Sequence, residues 1–203
     1  MAHPDVSPAQ SGPKQKRSRA RQAALLEHGA EVFNSRDLDD VSIVEITQAL
    51  GYSTGSFYSY FPDKSAFFAA VQEWVAIRMH EAVAERFEIE EVARSPLCDR
   101  LPLAVAFALD YFRSHTGLVR SALRYERRIP EAWAPNRAVT RRLVAALSRG
   151  LSDQDQHRLG IALQLAFGML VNALLHDPGP LRLQDPEIGP QIVTALTPYL
   201  TPT

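Results

Sequence analysis

The sequence predicts an all-α protein of about nine helices, on three observations. Apolar residues recur at three- and four-residue steps along most of the chain, which is the spacing of one helix face. No run of alternating apolar and polar residues is long enough to indicate a strand. Capping and helix-ending residues separate the periodic segments, and a hydrophobic fraction of 46% over 203 residues suffices to bury a core.

The N-terminal end combines a flexible segment with the first helix. Residues 1–16 are rich first in Pro, Ser and Gly and then in basic side chains, and we expect them to form a flexible arm. Helical spacing begins at about Ser18. The apolar stripe of this helix consists of Ala23, Leu26, Ala30 and Phe33. Residues 34–40 then interrupt the pattern.

Three further helices follow at short intervals. Ser42, with Glu45 three residues later, forms a capping box that begins the second helix. Gly51 ends it, because glycine readily adopts the left-handed conformation found after helix C-termini. A short third helix covers about residues 53–59, and a long fourth helix covers about residues 63–87.

The rest of the chain continues the helical pattern. Residues 88–96 are charged and are predicted to form a loop. Five helical segments follow, at about 99–114, 117–128, 131–149, 152–176 and 186–200. The composition changes near residue 64. We therefore expect a three-helix domain over residues 17–64 and a larger helical bundle over residues 65–203.

The charge of the chain is unevenly distributed. The net charge of −1, taken as an average, argues against a nucleic-acid binder, which usually carries a basic excess. However, residues 14–21 hold five basic residues and no acid, whereas residues 22–63 hold one basic residue and seven acids. Residues 65–203 balance at fifteen of each sign. The basic run is either a solvated segment or a contact for phosphates.

Residues 42–64, with the sequence SIVEITQALGYSTGSFYSYFPDK, have the layout of a helix-turn-helix. The small hydroxyl side chains of residues 53–59 would let the third helix of the chain approach base edges in a major groove. The phenolic groups of Tyr58 and Tyr60 have the reach to contact phosphate oxygens. The alternative is a tight helical hairpin with an aromatic-rich corner and no role in DNA binding.

The same segment resembles the DNA-binding domain of the TetR family of transcriptional regulators. The resemblance extends over about residues 18–75. The residues that match the family pattern are Ser42, Ile46, Thr47, Leu50, Gly51, Tyr52, Ser53, Gly55, Phe57, Tyr58, Phe61 and Lys64. Two of them depart from the usual residue types, since Tyr52 replaces a small aliphatic residue and Thr47 replaces an alanine.

The resemblance implies a DNA-binding surface, which the adjacent basic run would extend. The residues expected to bind DNA are Lys16, Arg17, Arg19, Ser42, Tyr52, Ser53, Thr54, Gly55, Ser56, Tyr58, Ser59, Tyr60 and Lys64. Phe57 and Phe61 are expected in the core instead. For Tyr58 the alternative is packing against the first helix. The acidic residues 37–45 are expected to face away from DNA.

The segment from Leu159 to Leu175 is apolar almost all round and must be buried on several sides. A twin helix across a two-fold axis would bury it, and the resemblance implies a dimer built from the last two helices. The residues expected at that interface are Gly160, Leu163, Phe167, Gly168, Val171, Leu175, Ile192 and Leu196. The alternative is a core helix within one chain.

The resemblance also implies a pocket for a small apolar or amphipathic effector within the C-terminal bundle. Aromatic side chains with a few polar tips suit such a ligand. The candidate pocket residues are Phe107, Tyr111, Arg124, Tyr125, Trp133, Gln164 and Phe167. Together these features predict a homodimeric, ligand-responsive repressor that binds a palindromic operator in double-stranded DNA.

The sequence leaves two other classes of function as alternatives. Residues 51–55, GYSTG, match the G-x-S-x-G pattern of serine hydrolases, but that chemistry needs a strand before the serine and the preceding residues are helical. A helical protein-interaction module without DNA binding is the other alternative. We therefore expect no enzyme activity and no catalytic residues.

The sequence predicts neither a metal site nor a cofactor. The single cysteine, Cys98, excludes a multi-cysteine site, and the histidines are scattered. The N-terminus lacks the apolar stretch of a secretory signal, so we expect a cytoplasmic protein without a membrane partner.

Overall fold

A computed structural model describes residues 13–129, 131–176 and 179–201, and within these ranges it contains ten α-helices and no strand. The predicted all-α class is confirmed. In chain order the helices are α1 (Pro13–Phe33), α2 (Ile43–Ala49), α3 (Thr54–Tyr58), α4 (Lys64–Phe87), α5 (Glu90–Arg94), α6 (Leu97–Ser114), α7 (Thr116–Tyr125), α8 (Ala134–Ser148), α9 (Asp153–His176) and α10 (Ile188–Leu200).

The first helix begins at Pro13, earlier than the expected start at Ser18. Residues 13–16 of the predicted arm, together with the rest of the basic run up to Arg21, therefore belong to the first turns of α1. Proline is favoured at the first helical position, and the Lys, Arg, Gln and Ala residues that follow have high helix propensity. The remainder of the predicted arm, residues 1–12, lies outside the described residues.

The helix termini in the first third of the chain follow the predicted capping chemistry. The Ser42 Oγ accepts a hydrogen bond from the Val44 N–H at 3.2 Å, and the Ser42 N–H donates to Glu45 Oε2 at 3.2 Å, which completes a capping box. Gly51 follows α2 with a φ of +67°, the left-handed conformation expected of it.

The segment predicted as a loop between α4 and α6 contains the short helix α5. Glu90 and Glu91 lie in its first turn and Arg94 in its last, where each charge is favoured by the helix dipole. The fully buried Arg100 holds the segment in place, because its guanidinium donates to the carbonyls of Ala93 and Ser95 at 2.8–3.1 Å. It also donates to the carbonyls of Leu147 and Arg149 at 2.6 and 2.7 Å, where α8 ends.

Two hydrophobic clusters form the interior of the chain. The smaller one joins α1, α2, α3 and the first half of α4, and Phe57 and Phe61 lie in it as expected. It also includes Leu118, Ala122 and Ile129, which come from α7 and the turn after it. The helix-turn-helix unit thus completes its core with residues from the C-terminal part of the chain.

The larger cluster is built by α4, α6, α8, α9 and α10. Helix α9 packs against α6, α8 and α10, and its Leu159, Leu163 and Leu170 are fully buried. Among the described residues α9 is also the one helix long and apolar enough to cross a membrane, a test that core helices of soluble proteins pass as well. Its contacts with these helices and with α7 place one side of α9 in the core of the bundle.

Candidate nucleic-acid interface and ligand cavity

Helix α3 presents a narrow surface made of small side chains. Ser53 caps it, with its Oγ accepting a hydrogen bond from the Ser56 N–H at 3.2 Å. Ser53 and Gly55 are exposed, and Thr54 and Ser56 are half-buried. Because none of these side chains is larger than threonine, the α3 backbone can come close to another molecule.

The two tyrosines at the end of α3 differ in their surroundings. Tyr58 is 55% exposed and packs edge-on against Phe57, with ring centroids 5.4 Å apart. Tyr60 is half-buried, and its hydroxyl accepts a hydrogen bond from the Ser18 Oγ of α1 at 3.2 Å. The packing against the first helix that was considered for Tyr58 is thus found at Tyr60.

The polar residues at the other predicted contacts are partly engaged within the fold. Lys64 Nζ donates to the Val41 carbonyl at 3.1 Å, which leaves two of its three donor hydrogens for an outside partner. Ser59 Oγ donates to the Ser56 carbonyl at 2.6 Å. The exposed Ser42 serves as the cap of α2.

The basic run lies next to the helix-turn-helix. Lys16, Arg17 and Arg19 are exposed on α1. One turn further on, the Arg21 guanidinium lies 5.9 Å from the centre of the Tyr52 ring, in the turn that precedes α3. The positive charge of α1 and the small side chains of α3 therefore belong to one region of the surface.

The acidic residues that follow α1 contact the C-terminal part of the chain instead. Asp37 accepts hydrogen bonds from Arg120 at 3.1 Å and Arg124 at 2.8 Å, both on α7. The Asp39 carboxylate accepts a hydrogen bond from the Tyr125 hydroxyl. Two of the seven acids between residues 22 and 63, Asp37 and Asp39, are therefore engaged by α7 and do not lie on α3.

The residues expected at a dimer interface separate into three groups. Leu163, Ile192 and Leu196 are buried within the protomer, because α9 and α10 turn these side chains toward α6 and each other. Phe167, Gly168 and Val171 line a cavity. Gly160 and Leu175 are half-buried on α9.

The exposed apolar residues of α9 and α10 are different ones. Leu165 is 50% exposed, Met169 39% and Tyr199 44%. Sequence reasoning missed these residues because α9 is apolar all round, so its periodicity does not indicate which side faces outward. The polar residues Gln164 and Asn172, which are exposed like their neighbours Leu165 and Met169, were an available signal of the outward side.

A cavity of about 360 Å³ lies between α4, α6, α8 and α9. Its volume is within the range of small-molecule sites. Its wall is mainly apolar, and four of the predicted pocket residues line it: Phe107, Tyr111, Trp133 and Phe167. The further lining residues are Met79, Ala108, Phe112, Asn136, Arg137, Val139, Thr140, Arg141, Leu143, Gly168 and Val171.

Three of the predicted pocket residues lie elsewhere. Arg124 and Tyr125 point to the acidic turn after α1, because Asp37 and Asp39 satisfy their polar ends there. Gln164 is exposed on α9 and is not part of the cavity wall. Sequence spacing could not distinguish these surfaces, since the direction in which each side chain points depends on which helices pack together.

A buried polar chain lies at the wall of the cavity. The Tyr111 hydroxyl donates to Asn136 Oδ1, and Asn136 Nδ2 donates to Gln72 Oε1 at 3.1 Å. Burial raises the pKa of Tyr111 far above its ordinary value, so the phenol stays neutral. Gln72 Nε2 has no hydrogen-bond partner among the described residues. Asn136 and Gln72 carry no distinctive spacing, and sequence reasoning missed both.

The GYSTG segment does not have the geometry of a nucleophile elbow. Ser53 follows a helix and a turn, and its Oγ accepts the capping hydrogen bond of α3. Within the described ranges, no group of three or more His, Cys, Asp or Glu side chains is placed to hold a metal ion.

These features define a helix-turn-helix protein in which a short reading helix is joined to a helical bundle with an internal cavity. Residues 25–71 match the family model described as "Bacterial regulatory proteins, tetR family". No curated protein matches the chain.

Solved structures match it along most of its length. A TetR transcriptional regulator from Rhodococcus sp. RHA1 is 21% identical, with a TM-score of 0.59 over 91% of this chain and 98% of the other. A tetR-family regulator from Streptomyces coelicolor is 22% identical, with a TM-score of 0.66 over 89% and 80%. FadR from Bacillus subtilis, solved in complex with stearoyl-CoA, is 13% identical, with a TM-score of 0.61 over 88% and 99%.

Residues 25–71 therefore resemble a tetR-family regulatory domain, and the chain as a whole has the fold of solved structures described as TetR-family transcriptional regulators.

Proposed function

We propose that this protein is a cytoplasmic, ligand-responsive repressor that binds a palindromic operator as a homodimer. Residues 17–64 would form the DNA-reading domain, and residues 65–203 the ligand-binding and dimerisation domain. The observation that carries the proposal is the exposed, small-residue surface of α3 beside the cationic residues of α1. Repression is the usual output of the family that the sequence resembles.

DNA recognition would divide between the two helices. Ser53, Thr54, Gly55 and Ser56 would face base edges in the major groove, while Lys16, Arg17 and Arg19 would neutralise phosphates. Ser42, Tyr52, Tyr58, Ser59, Tyr60 and Lys64 would contact the DNA backbone around the groove. Tyr58 is better placed than Tyr60, since its hydroxyl has no hydrogen-bond partner among the described residues, whereas that of Tyr60 is bonded to Ser18.

Dimerisation would use the outward faces of α9 and α10. Leu165, Met169 and Tyr199 leave apolar surface exposed on this side of the bundle, and a second copy related by a two-fold axis would cover it. The two reading helices would then meet successive half-sites of a palindrome.

Ligand response would come from the cavity between α4, α6, α8 and α9. Helix α4 extends from the reading domain to the cavity, where Met79 is part of the wall. The DNA-reading domains of the dimer would have one arrangement that fits the operator and another that does not. A ligand would lower DNA affinity to the extent that it binds the second arrangement more tightly than the first. The neighbour FadR, with its stearoyl-CoA, is a protein of the same fold that holds a ligand with a long apolar chain.

The test is DNA binding by the full chain to fragments of its own upstream region, measured at several salt concentrations. Thr54→Ala should weaken binding to the specific fragment by about tenfold and leave non-specific binding almost unchanged, because a lost base contact removes about 1–3 kcal/mol of discrimination. Ser114→Ala, which removes an exposed hydroxyl on α6, is the matched control and should bind as the unaltered protein does. Absence of salt-sensitive binding to every fragment would favour the interaction-module alternative.

A further inference from the structure

The cavity and the groove next to it carry charge of one sign. Among the described residues that line the cavity, Arg137 and Arg141 are basic and none is acidic. A second, shallower depression of about 690 Å³ shares Thr140 and Arg141 with the cavity and adds Arg149, which is paired with Glu90 at 3.5 Å; its described wall holds no acidic residue. The apolar cavity therefore continues into a polar, basic surface.

Arg141 differs from the other arginines of α8 in having no acidic partner within the described residues. Arg137 binds Glu126 at 2.6 Å and Glu131 at 3.0 Å. Arg142 binds Glu88 through two hydrogen bonds of 2.6 and 3.0 Å. Arg141 is exposed at the point where the cavity and the groove join, and its guanidinium is available to an outside anion.

Apart from Arg137, whose charge is paired with Glu126 and Glu131, the rest of the described cavity wall is neutral. Phe107, Trp133 and Phe167 supply apolar surface, and the Tyr111 and Asn136 side chains are bonded to each other. A charged group placed there would lose its hydration without gaining a countercharge. The cavity thus suits an apolar body whose charged end lies on the side of Arg141.

From this arrangement we infer that the effector is an amphipathic organic anion, whose apolar body fills the cavity and whose carboxylate or phosphate head binds Arg141. The inference rests on the proposed ligand-binding role of the cavity and names its ligand class. A guanidinium forms paired, charge-assisted hydrogen bonds with either head group. The groove beside Arg141, lined also by Ser148 and Gln156, leaves room for a head group larger than a carboxylate.

The experiment measures binding of matched alkyl series to the full chain by calorimetry. The probes are n-alkanoates, n-alkyl phosphates and n-alkanols of six to fourteen carbons. Location is reported by Trp133 emission in a Trp74→Phe background, since the chain has two tryptophans and Trp133 lines the cavity. The unaltered chain should bind at least one anionic series about tenfold more tightly than the alkanol of equal length.

The variant Arg141→Gln should reduce that preference to within about threefold, while alkanol binding stays unchanged. Arg142→Gln is the control, because it removes the same charge from the neighbouring position of α8 outside the cavity wall, and it should keep the preference. Which anionic series binds more tightly distinguishes a carboxylate from a phosphate head.

Three results would overturn the inference: equal affinity of anions and alkanols for the unaltered chain, a preference that survives in Arg141→Gln, or no binding across all three series. Operator binding is measured separately without probe. If the unaltered chain does not bind its operator, the proposed regulator function is contradicted, while the inferred ligand class is not. Alkyl anions that bind without changing operator affinity would contradict ligand response alone.

Discussion

The Lys64 side chain stabilises the fold and is also proposed to contact DNA. Its ammonium donates to the Val41 carbonyl, which ties the start of α4 to the entry of α2, and it keeps two donors free for a phosphate. A structural and a DNA-binding role are therefore expected together at this position.

Replacing Lys64 with alanine should weaken specific and non-specific DNA binding alike and reduce the slope of log affinity against log salt by about one. The free energy of unfolding should also fall by about 1 kcal/mol, the contribution of one such hydrogen bond. Urea denaturation and salt-dependent DNA titrations measure the two effects. Lower stability with an unchanged salt slope would assign Lys64 to the fold alone.

At the scale of single elements, α1 presents its cations from a helix rather than from a flexible arm. A truncation that removes residues 1–21 would therefore also delete helical turns and the Ser18–Tyr60 hydrogen bond. Substitution is the cleaner test of the charges.

The triple change of Lys16, Arg17 and Arg19 to glutamine should keep α1 helical, because glutamine has nearly the same helix propensity. If all three residues contact phosphates, the salt slope should fall by about three and affinity should drop for every DNA sequence. The control converts Arg94, Arg127 and Arg158, all in the C-terminal part of the chain, to glutamine. An equal loss in that control would mean that overall charge, not α1, governs binding.

The outward face of α9 is the element-scale test of dimerisation. Leu165→Glu should yield monomers by light scattering with little change in the stability of the monomer, because the side chain is half exposed. Leu103→Glu on α6, which is 43% exposed, is the matched control and should remain dimeric. Gly168→Arg is less informative, since Gly168 also lines the cavity. A Leu165→Glu dimer would move the interface away from this face.

The elements themselves were largely predictable, because caps and periodicity are local properties of the sequence. Ser42, Glu45 and Gly51 specify the ends of α2 without help from the rest of the chain. What could not be predicted depends on distant contacts. The outward direction of Leu165 and the engagement of Arg124 by Asp37 are set by which helices pack together.

At the scale of the whole molecule, α7 fastens the reading domain to the bundle. The Leu38 N–H donates to the buried Ser121 Oγ at 2.8 Å, and a Cβ on Gly117 would lie 2.3 Å from the Arg36 carbonyl oxygen, so only glycine permits this approach. The Asn34 amide, with its nitrogen turned toward α7, donates to the Ser114 carbonyl at 2.9 Å and to His115 Nδ1 at 2.8 Å.

The contact between Asn34 and His115 predicts that the stability of the fold depends on pH. Burial lowers the pKa of His115 from its ordinary value of 6.5, which the charge of Asp110 partly offsets. Since the unfolded chain binds the proton more readily, stability is complete above about pH 6.5 and declines as the pH falls below that value toward the lowered pKa. A proton on Nδ1 of His115 would also place two hydrogen-bond donors against each other and break the bond from the Asn34 amide.

The variant His115→Asn should lose this component of the pH dependence, measured as the free energy of unfolding at pH 7.5, 6.5 and 5.5. His157→Asn, exposed on α9, is the control and should follow the unaltered chain. Identical pH profiles for His115→Asn and the unaltered chain would contradict the role assigned to the buried imidazole.

The shared interior of the reading domain has a consequence for exchanging parts between regulators of this fold. Leu118, Ala122 and Ile129 complete the cluster that contains Phe33 and Leu38, although they lie beyond α6 in the chain. In a chimera joined in the middle of α4, the N-terminal helices of one protein would therefore pack against the α7 of another protein, whose side chains need not complete the same cluster. A change of the operator recognition proposed for α3 would therefore alter the surface residues of α3 alone, or would transfer residues 115–132 together with the N-terminal helices.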